Sequence, residues 1–217
     1  SLVFAGLIPY LRAQGNWLIT TFRPGKHPFY ALASAIITVL KPDTDEIEQL
    51  VKIKKLARNF RSGKMNLRNV FEAFMKKNPH GHLFLFIDQF EEIFTFCQDP
   101  EERLRFIEEL VKSTRSSKAS HISVVLTIRA DFLAKAFSYR AFADALQNAD
   151  MKLGPMNREE LRDMIEKPAH KLNVRIEEGL TDRILDAVTH EPEGLPLLAF
   201  TMTKLWEKQT QGKLTHQ

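Results

Sequence analysis

A single cysteine, Cys97, stands among 217 residues, so the chain can form no intrachain disulfide and no cysteine-based metal site. Tyr and Trp are scarce, three and two against sixteen Phe, which points the aromatic content at core packing rather than at a recognition face. No apolar run approaches the roughly 20 residues that span a bilayer, and the opening "SLVFAGLIPYLRAQG" has neither an initiator Met nor the basic leader of a secretory signal. We therefore expect a reducing, cytoplasmic setting and no membrane, with the chain starting inside a longer protein. Neither sign of charge dominates: 31 Lys and Arg face 27 Asp and Glu, a formal net charge of +4. The densest basic run, "KIKKLARNFRSGK" (52–64), reads as a solvated helix face rather than a nucleic-acid surface. Also absent is any Gly-x-x-x-x-Gly-Lys-Ser/Thr phosphate loop, so nucleotide binding does not follow from the residues by themselves.

What is present is an alternation of helical and strand-like patterns. "VFAGLIPYLRAQG" reads as a helix closed by Gly15, and "WLITTF" (17–22) as a strand stopped at Arg23-Pro24-Gly25. Helices follow in "HPFYALASAIITVLK", "DTDEIEQLVKIKKLARNF" and "NLRNVFEAFMKKN", and a buried strand in 83–87. "PEERLRFIEELVKSTRSSK" places Leu104, Ile107, Leu110 and Val111 on one face, acids early and bases late. "HISVVLTIR" (121–129) is a second β-branched run, "DFLAKAF" and "YRAFADALQN" are helical, and "MKLGPM" (151–156) is an expected edge strand. The fold class is thus α/β, a parallel sheet with flanking helices on both faces. From residue 155 onward the patterns are all helical, with Asn157 and Glu160 at capping-box spacing. This gives an α/β domain over 1–154 and a small helical domain over 155–217.

The run "LFLFIDQFEEIF" (83–94) carries the first candidate chemistry. Ligands of parallel sheets sit beyond the carboxyl ends of the strands, and Asp88 falls there, where an acid can hold the Mg²⁺ of a nucleoside triphosphate in the manner of a Walker B element. A helix N-cap or a salt-bridged core Asp accounts for it equally. Glu91 and Glu92 stand where a carboxylate could orient an attacking water, or where a helix dipole favours acids. Thr127 and Arg129 end the next long strand; the guanidinium could clamp a phosphate or pair with Asp131.

In series, "SLVFAGLIPYL", "FRPGKHPFYALA", "LFLFIDQFEEIFT", "VVLTIRADFL", "LGPMNREELRDMIEKPA", "IEEGLTDRILD" and "EPEGLPLLAFTMTKLWE" resemble the nucleotide-binding domain of the novel STAND class of P-loop NTPases. These are relatives of the NACHT signalling ATPases, often fused to WD β-propeller repeats. The resemblance covers nearly the whole chain. It implies that the residues ahead of Ser1 end Walker A, so that the first strand and the phosphate loop are missing here and Ser1 adjoins the nucleotide. It makes Asp88-Gln89-Phe90-Glu91-Glu92 the counterpart of Asp-Gly-x-Asp-Glu, with Asp88 the magnesium acid and Glu92 the better water-orienting candidate. Gln89 departs from that pattern. Thr127 and Arg129 correspond to the sensor that reports the terminal phosphate, and Gly194 and Pro196 to the Gly-x-Pro motif near the adenine. Arg23 belongs to the resemblance without an assigned contact.

The function so implied is a signalling switch that binds ATP or ADP with Mg²⁺, self-associates on activation and controls a linked effector or WD-repeat domain. These 217 residues taken alone would neither hydrolyse nor tightly bind nucleotide. Two alternatives stand beside it: an interaction scaffold indifferent to nucleotide, and a nucleic-acid-binding ATPase using the 52–64 face.

Overall fold

Leu83 to Ile87 are each 3% exposed or less, which requires neighbours on both sides and both faces of the strand that contains them. That strand, β2 (His82–Ile87), lies between β1 (Trp17–Phe22) and β3 (Ile122–Leu126), and both pairings are parallel. The computed structural model describes residues 2–40, 45–76, 78–115, 121–189, 194–209 and 212–216. By contacts the chain divides into two compact units, Ser1–Asp150 and Met151–Gln217.

In the first unit the two-residue period of β2 sorts its side chains between layers. Leu85 and Ile87 join a core with Phe29, Leu32, Ala33 and Ile36 of α2 (Pro28–Leu40), Ile53, Leu56 and Phe60 of α3 (Glu46–Arg61), and Phe106, Ile107, Leu110 and Val111 of α6 (Pro100–Thr114). Phe84 and Phe86 pack with Ile8 and Leu11 of α1 (Ile8–Gln14), which follows a π-helical turn at Val3–Leu7. Each such fully buried side chain is worth about 1.5–3 kcal/mol relative to exposure. The sequence reading placed Leu104 on the inward face of α6; it is 44% exposed, and Phe106, at 0%, takes the inward place.

Local chemistry starts and stops these elements where the sequence suggests. Gly15, at φ 77°, ends α1 in the left-handed conformation that glycine adopts freely. Asp45 caps α3 through Ile47 N at 3.1 Å, and Asp99 caps α6 through Glu101 N at 3.0 Å. Asn66 and Asn69 form a capping box at α4 (Leu67–Met75). After β2 comes the short α5 (Glu92–Thr95); after β3, a 3₁₀ turn at Ala130–Phe132 leads into α7 (Leu133–Phe137) and α8 (Arg140–Leu146). The strand expected over 121–129 stops at Leu126, because its partner β2 stops at the paired Ile87.

In the second unit, α9 (Arg158–Lys171), α10 (Leu180–Thr189) and α11 (Gly194–Glu207) bury Leu161, Ile165, Leu180, Ile184, Leu185, Val188 and Leu198 together. The capping box expected from Asn157 and Glu160 is present, its two bonds at 2.9 and 2.8 Å. Two expectations fail. Residues 151–156 form no strand and are exposed; they join no sheet ladder, and a strand outside a ladder is not stable. The region is also not purely helical, since β4 (Arg175–Ile176) and β5 (Lys213–Leu214) pair in parallel.

Candidate functional site

The register aligns Phe22 with Ile87 and Ile87 with Leu126, so Arg23, Asp88 and Thr127 leave the sheet side by side at its carboxyl end. Asp88 N donates to Phe22 O at 2.9 Å and Thr127 N to Ile87 O at 3.0 Å, which extends the ladder into the exits. The Asp88 side chain is 18% exposed, and a carboxylate so placed needs partners. It has two. Thr127 Oγ1 donates to Oδ1 at 2.9 Å, and the Arg23 guanidinium approaches Oδ2 at 3.4 Å through Nε and 3.3 Å through Nη2. Of the readings open at this position, the ion-paired carboxylate is present; Asp88 caps no helix.

Thr127 also receives the turn that follows Asp88. Gln89 N donates to Thr127 Oγ1 at 2.9 Å and Phe90 N to Thr127 O at 2.8 Å. Phe90 is fully buried and stacks on Phe142, ring centroids 5.2 Å apart. This anchors the turn, in which Gln89 has φ 53°. That conformation costs an L-residue with a Cβ, and it falls where the Asp-Gly-x-Asp-Glu pattern carries glycine.

The next two acids bind the flanking strand exits. Glu91 Oε2 accepts from Arg129 N at 3.3 Å, and Glu92 Oε2 accepts from Gly25 N at 3.1 Å. Gly25, at φ 55°, lets the Arg23-Pro24-Gly25 turn present that amide. Asp88, Glu91 and Glu92 thus tie the ends of all three strands together.

The side chain of Arg129 turns elsewhere. Its guanidinium is 69% exposed and pairs with Asp131, Nε to Oδ1 at 3.1 Å and Nη2 to Oδ2 at 3.0 Å. The ion-pair alternative is therefore the contact this structure contains; only the Arg129 backbone reaches the acids. Ser1 lies outside the described residues. Gly194 and Pro196 open α11 in the second unit, and a Cβ on Gly194 would run into the carbonyl oxygen of Val188, so close helix approach by itself calls for glycine there.

Arg23 and Gly25 are the contributors that sequence reasoning missed or left without a contact, whereas the Arg129–Asp131 pair was one of its two readings. The breaker after β1 marked Arg23 and Gly25, but their partners depend on β1 lying next to β2.

Among the described residues no group of three or more His, Cys, Asp or Glu stands together to hold a metal. Mg²⁺ needs less: one or two carboxylates, with water and phosphate completing its shell. Asp88 fits that part, since Oδ2 is a hard oxygen donor engaged only by long contacts. The basic run lies on α3 as far as Arg61, with Lys52 paired to Glu48 at 2.5 Å and Arg61 to Asp99 at 2.7 Å; Lys54, Lys55 and Arg58 are exposed.

A mixed α/β unit built on a short parallel sheet, with acids and cations gathered at the strands' carboxyl ends, is compatible with an NTPase-like fold. The family model described as novel STAND NTPase 1 matches residues 1–217, and the chain belongs to that family. Comparisons with the curated proteins and with the solved structures gave no significant match.

Proposed function

We propose that the chain is the nucleotide-responsive part of a signalling switch. Residues 1–154 would form the nucleotide-binding domain and residues 155–217 a helical lid. Exchange of ADP for ATP would favour a form that self-associates and acts on a linked effector or WD-repeat domain. Family membership supports the NTPase reading. The observation that carries the site assignment is Asp88 at the end of the central strand, its two oxygens held by side chains from the two neighbouring strand exits.

Mg²⁺ bound with a nucleoside triphosphate neutralises charge on the phosphates. In this reading Asp88 would hold the ion or its water, while Thr127 keeps Oδ1 in place. Glu92 or Glu91 orients a water. Arg129, released from Asp131, meets the terminal phosphate. No phosphate loop occurs in these 217 residues, so the test belongs to the intact protein.

ATP and ADP are titrated calorimetrically with and without Mg²⁺ into intact wild type and Asp88→Asn. The expected result is Mg²⁺-dependent binding that weakens by about tenfold or more in the variant, the scale of losing a metal-supporting group. Light scattering on the same samples should show larger assemblies with ATP than with ADP. Heat from neither nucleotide would leave the scaffold reading in place.

A further inference from the structure

The two oxygens of Asp88 are held by unlike partners. Oδ1 takes one short bond from the hydroxyl of Thr127 at 2.9 Å, and Thr127 is itself fixed by two backbone amides of the adjoining turn, Gln89 N at 2.9 Å to its Oγ1 and Phe90 N at 2.8 Å to its carbonyl. Oδ2 takes both Arg23 contacts, at 3.4 and 3.3 Å. This is not the parallel two-oxygen fork that makes arginine–carboxylate pairs strong. The Arg23 side chain is 56% exposed, against 18% for Asp88, so water competes for the guanidinium while the carboxylate stays mostly enclosed. One oxygen is locked, and the other is covered by a loosely seated cation on a flexible stem.

We propose that Arg23 is a displaceable counter-ion: it occupies Asp88 Oδ2 while no divalent cation is there and yields that oxygen when Mg²⁺ arrives with a polyphosphate. The inference rests on the reading of Asp88 as the magnesium acid and adds a residue that regulates it. Three features of the site support it. A mostly enclosed carboxylate is costly without a cation nearby, and Arg23 is the cation in contact with it. A bound divalent ion would carry more positive charge to the same oxygen, so guanidinium and metal exclude each other there by repulsion as well as by space. Finally, the turn that delivers Arg23 is tied to the site by Gly25 N on Glu92 Oε2 at 3.1 Å, which keeps the guanidinium within reach after it lets go.

The consequence is competition. Arg23 should raise the concentration of free Mg²⁺ needed for nucleotide binding, by the modest factor that an exposed ion pair can impose, about two- to fivefold.

The experiment uses the intact protein as wild type, Arg23→Gln, Arg23→Lys and Asp88→Asn. ATP affinity is measured calorimetrically across a series of free Mg²⁺ concentrations, and Mn²⁺ is followed in parallel by its electron paramagnetic resonance signal as a direct readout of the ion. The expected result is a half-effective Mg²⁺ concentration lowered about two- to fivefold in Arg23→Gln and close to wild type in Arg23→Lys, which keeps the charge. Asp88→Asn should lose the Mg²⁺ dependence. If Arg23→Gln leaves the half-effective concentration unchanged or raises it while Asp88→Asn abolishes the dependence, the counter-ion proposal falls and the magnesium assignment survives. If Asp88→Asn retains the full dependence, or no variant binds ATP, the magnesium assignment falls and takes the proposal with it. Circular dichroism of each variant checks folding; should Arg23→Gln not fold, a half-effective concentration in Arg23→Lys higher than or equal to wild type supports a charge-based hold, and one lowered twofold or more contradicts it.

Discussion

Thr127 and Asp88 share one hydrogen bond, 2.9 Å from hydroxyl to Oδ1, and the same hydroxyl oxygen accepts from Gln89 N at 2.9 Å. Thr127 thereby fixes both the carboxylate and the turn behind it. Thr127→Val removes donor and acceptor without changing shape much, leaving the exposed Gln89 amide and one part-buried Asp88 carboxylate oxygen without that partner. We predict a loss of about 1–3 kcal/mol of stability, with Thr127→Ser losing clearly less. Urea unfolding of the three proteins measures it; equal midpoints for Val and wild type would mean the hydroxyl is idle.

Gln89 at φ 53° supports a substitution of the opposite sign. A side chain in the left-handed region costs about 1–2 kcal/mol, of which glycine's freedom in the unfolded chain gives part back. Gln89→Gly should therefore be neutral or stabilising by up to about 1 kcal/mol, where glycine ordinarily destabilises. A fall in midpoint beyond that range would show that the carboxamide makes contacts worth more than the strain.

Central elements were legible because their environment is uniform: β2 is buried on every side, and a continuous apolar run from Leu83 to Ile87 says so. Edges were not. Thr127-Ile128-Arg129 has strand-forming side chains, yet β2 ends opposite Leu126 and Thr127 O is taken by Phe90 N. Residues 151–156 were expected as a strand but form none, and Leu104 lost the inward place to Phe106. At the site, the position of Asp88 followed from strand direction alone. That Arg23 reaches it depends on strand order, which leaves no signal in local sequence; the Arg129–Asp131 pair was one of two readings that the local sequence left open, and the turn after β3 decides between them.

Gly194 offers a test of what its motif is for in the second unit. Because an added Cβ would meet Val188 O, Gly194→Ala must push α11 away from α10. A loss of about 1–3 kcal/mol is expected, the scale of overpacking, visible in thermal unfolding without any nucleotide. Unchanged stability would leave the glycine without a packing role.

Glu109 sets a pH dependence. Burial, chiefly, raises its pKa above the usual carboxylate range, against the opposing bond from Leu67 N at 2.6 Å and the nearby charges of Lys112 and Arg68. An acid whose folded pKa lies above its unfolded value favours the fold when protonated; that contribution is complete below the unfolded pKa and is lost as pH rises through the folded one. Glu109→Gln keeps an oxygen for Leu67 N and never ionises. It should match wild type near pH 4, in the acid range about the unperturbed value, and be the more stable near neutrality. Urea midpoints at the two pH values decide; a variant less stable than wild type at neutrality would reverse the sign.

Glu91 and Glu92 hold different strand exits through the same kind of bond, and the family resemblance makes Glu92 the better water-orienting candidate. Glu91 Oε2 secures the Arg129 backbone and Glu92 Oε2 the Gly25 backbone, while among the described residues no hydrogen bond engages either Oε1. A glutamine at each place keeps the structural acceptor and removes the ability to take a proton. In the intact protein Glu92→Gln should therefore retain ATP affinity and lose hydrolysis by about a hundredfold or more, the usual share of a general base, with Glu91→Gln affecting both far less. Single-turnover hydrolysis beside calorimetric affinity reads the two separately. If the variants exchange behaviours, Glu91 orients the water; if both hydrolyse like wild type, these acids serve only to bind the three strand exits into one frame.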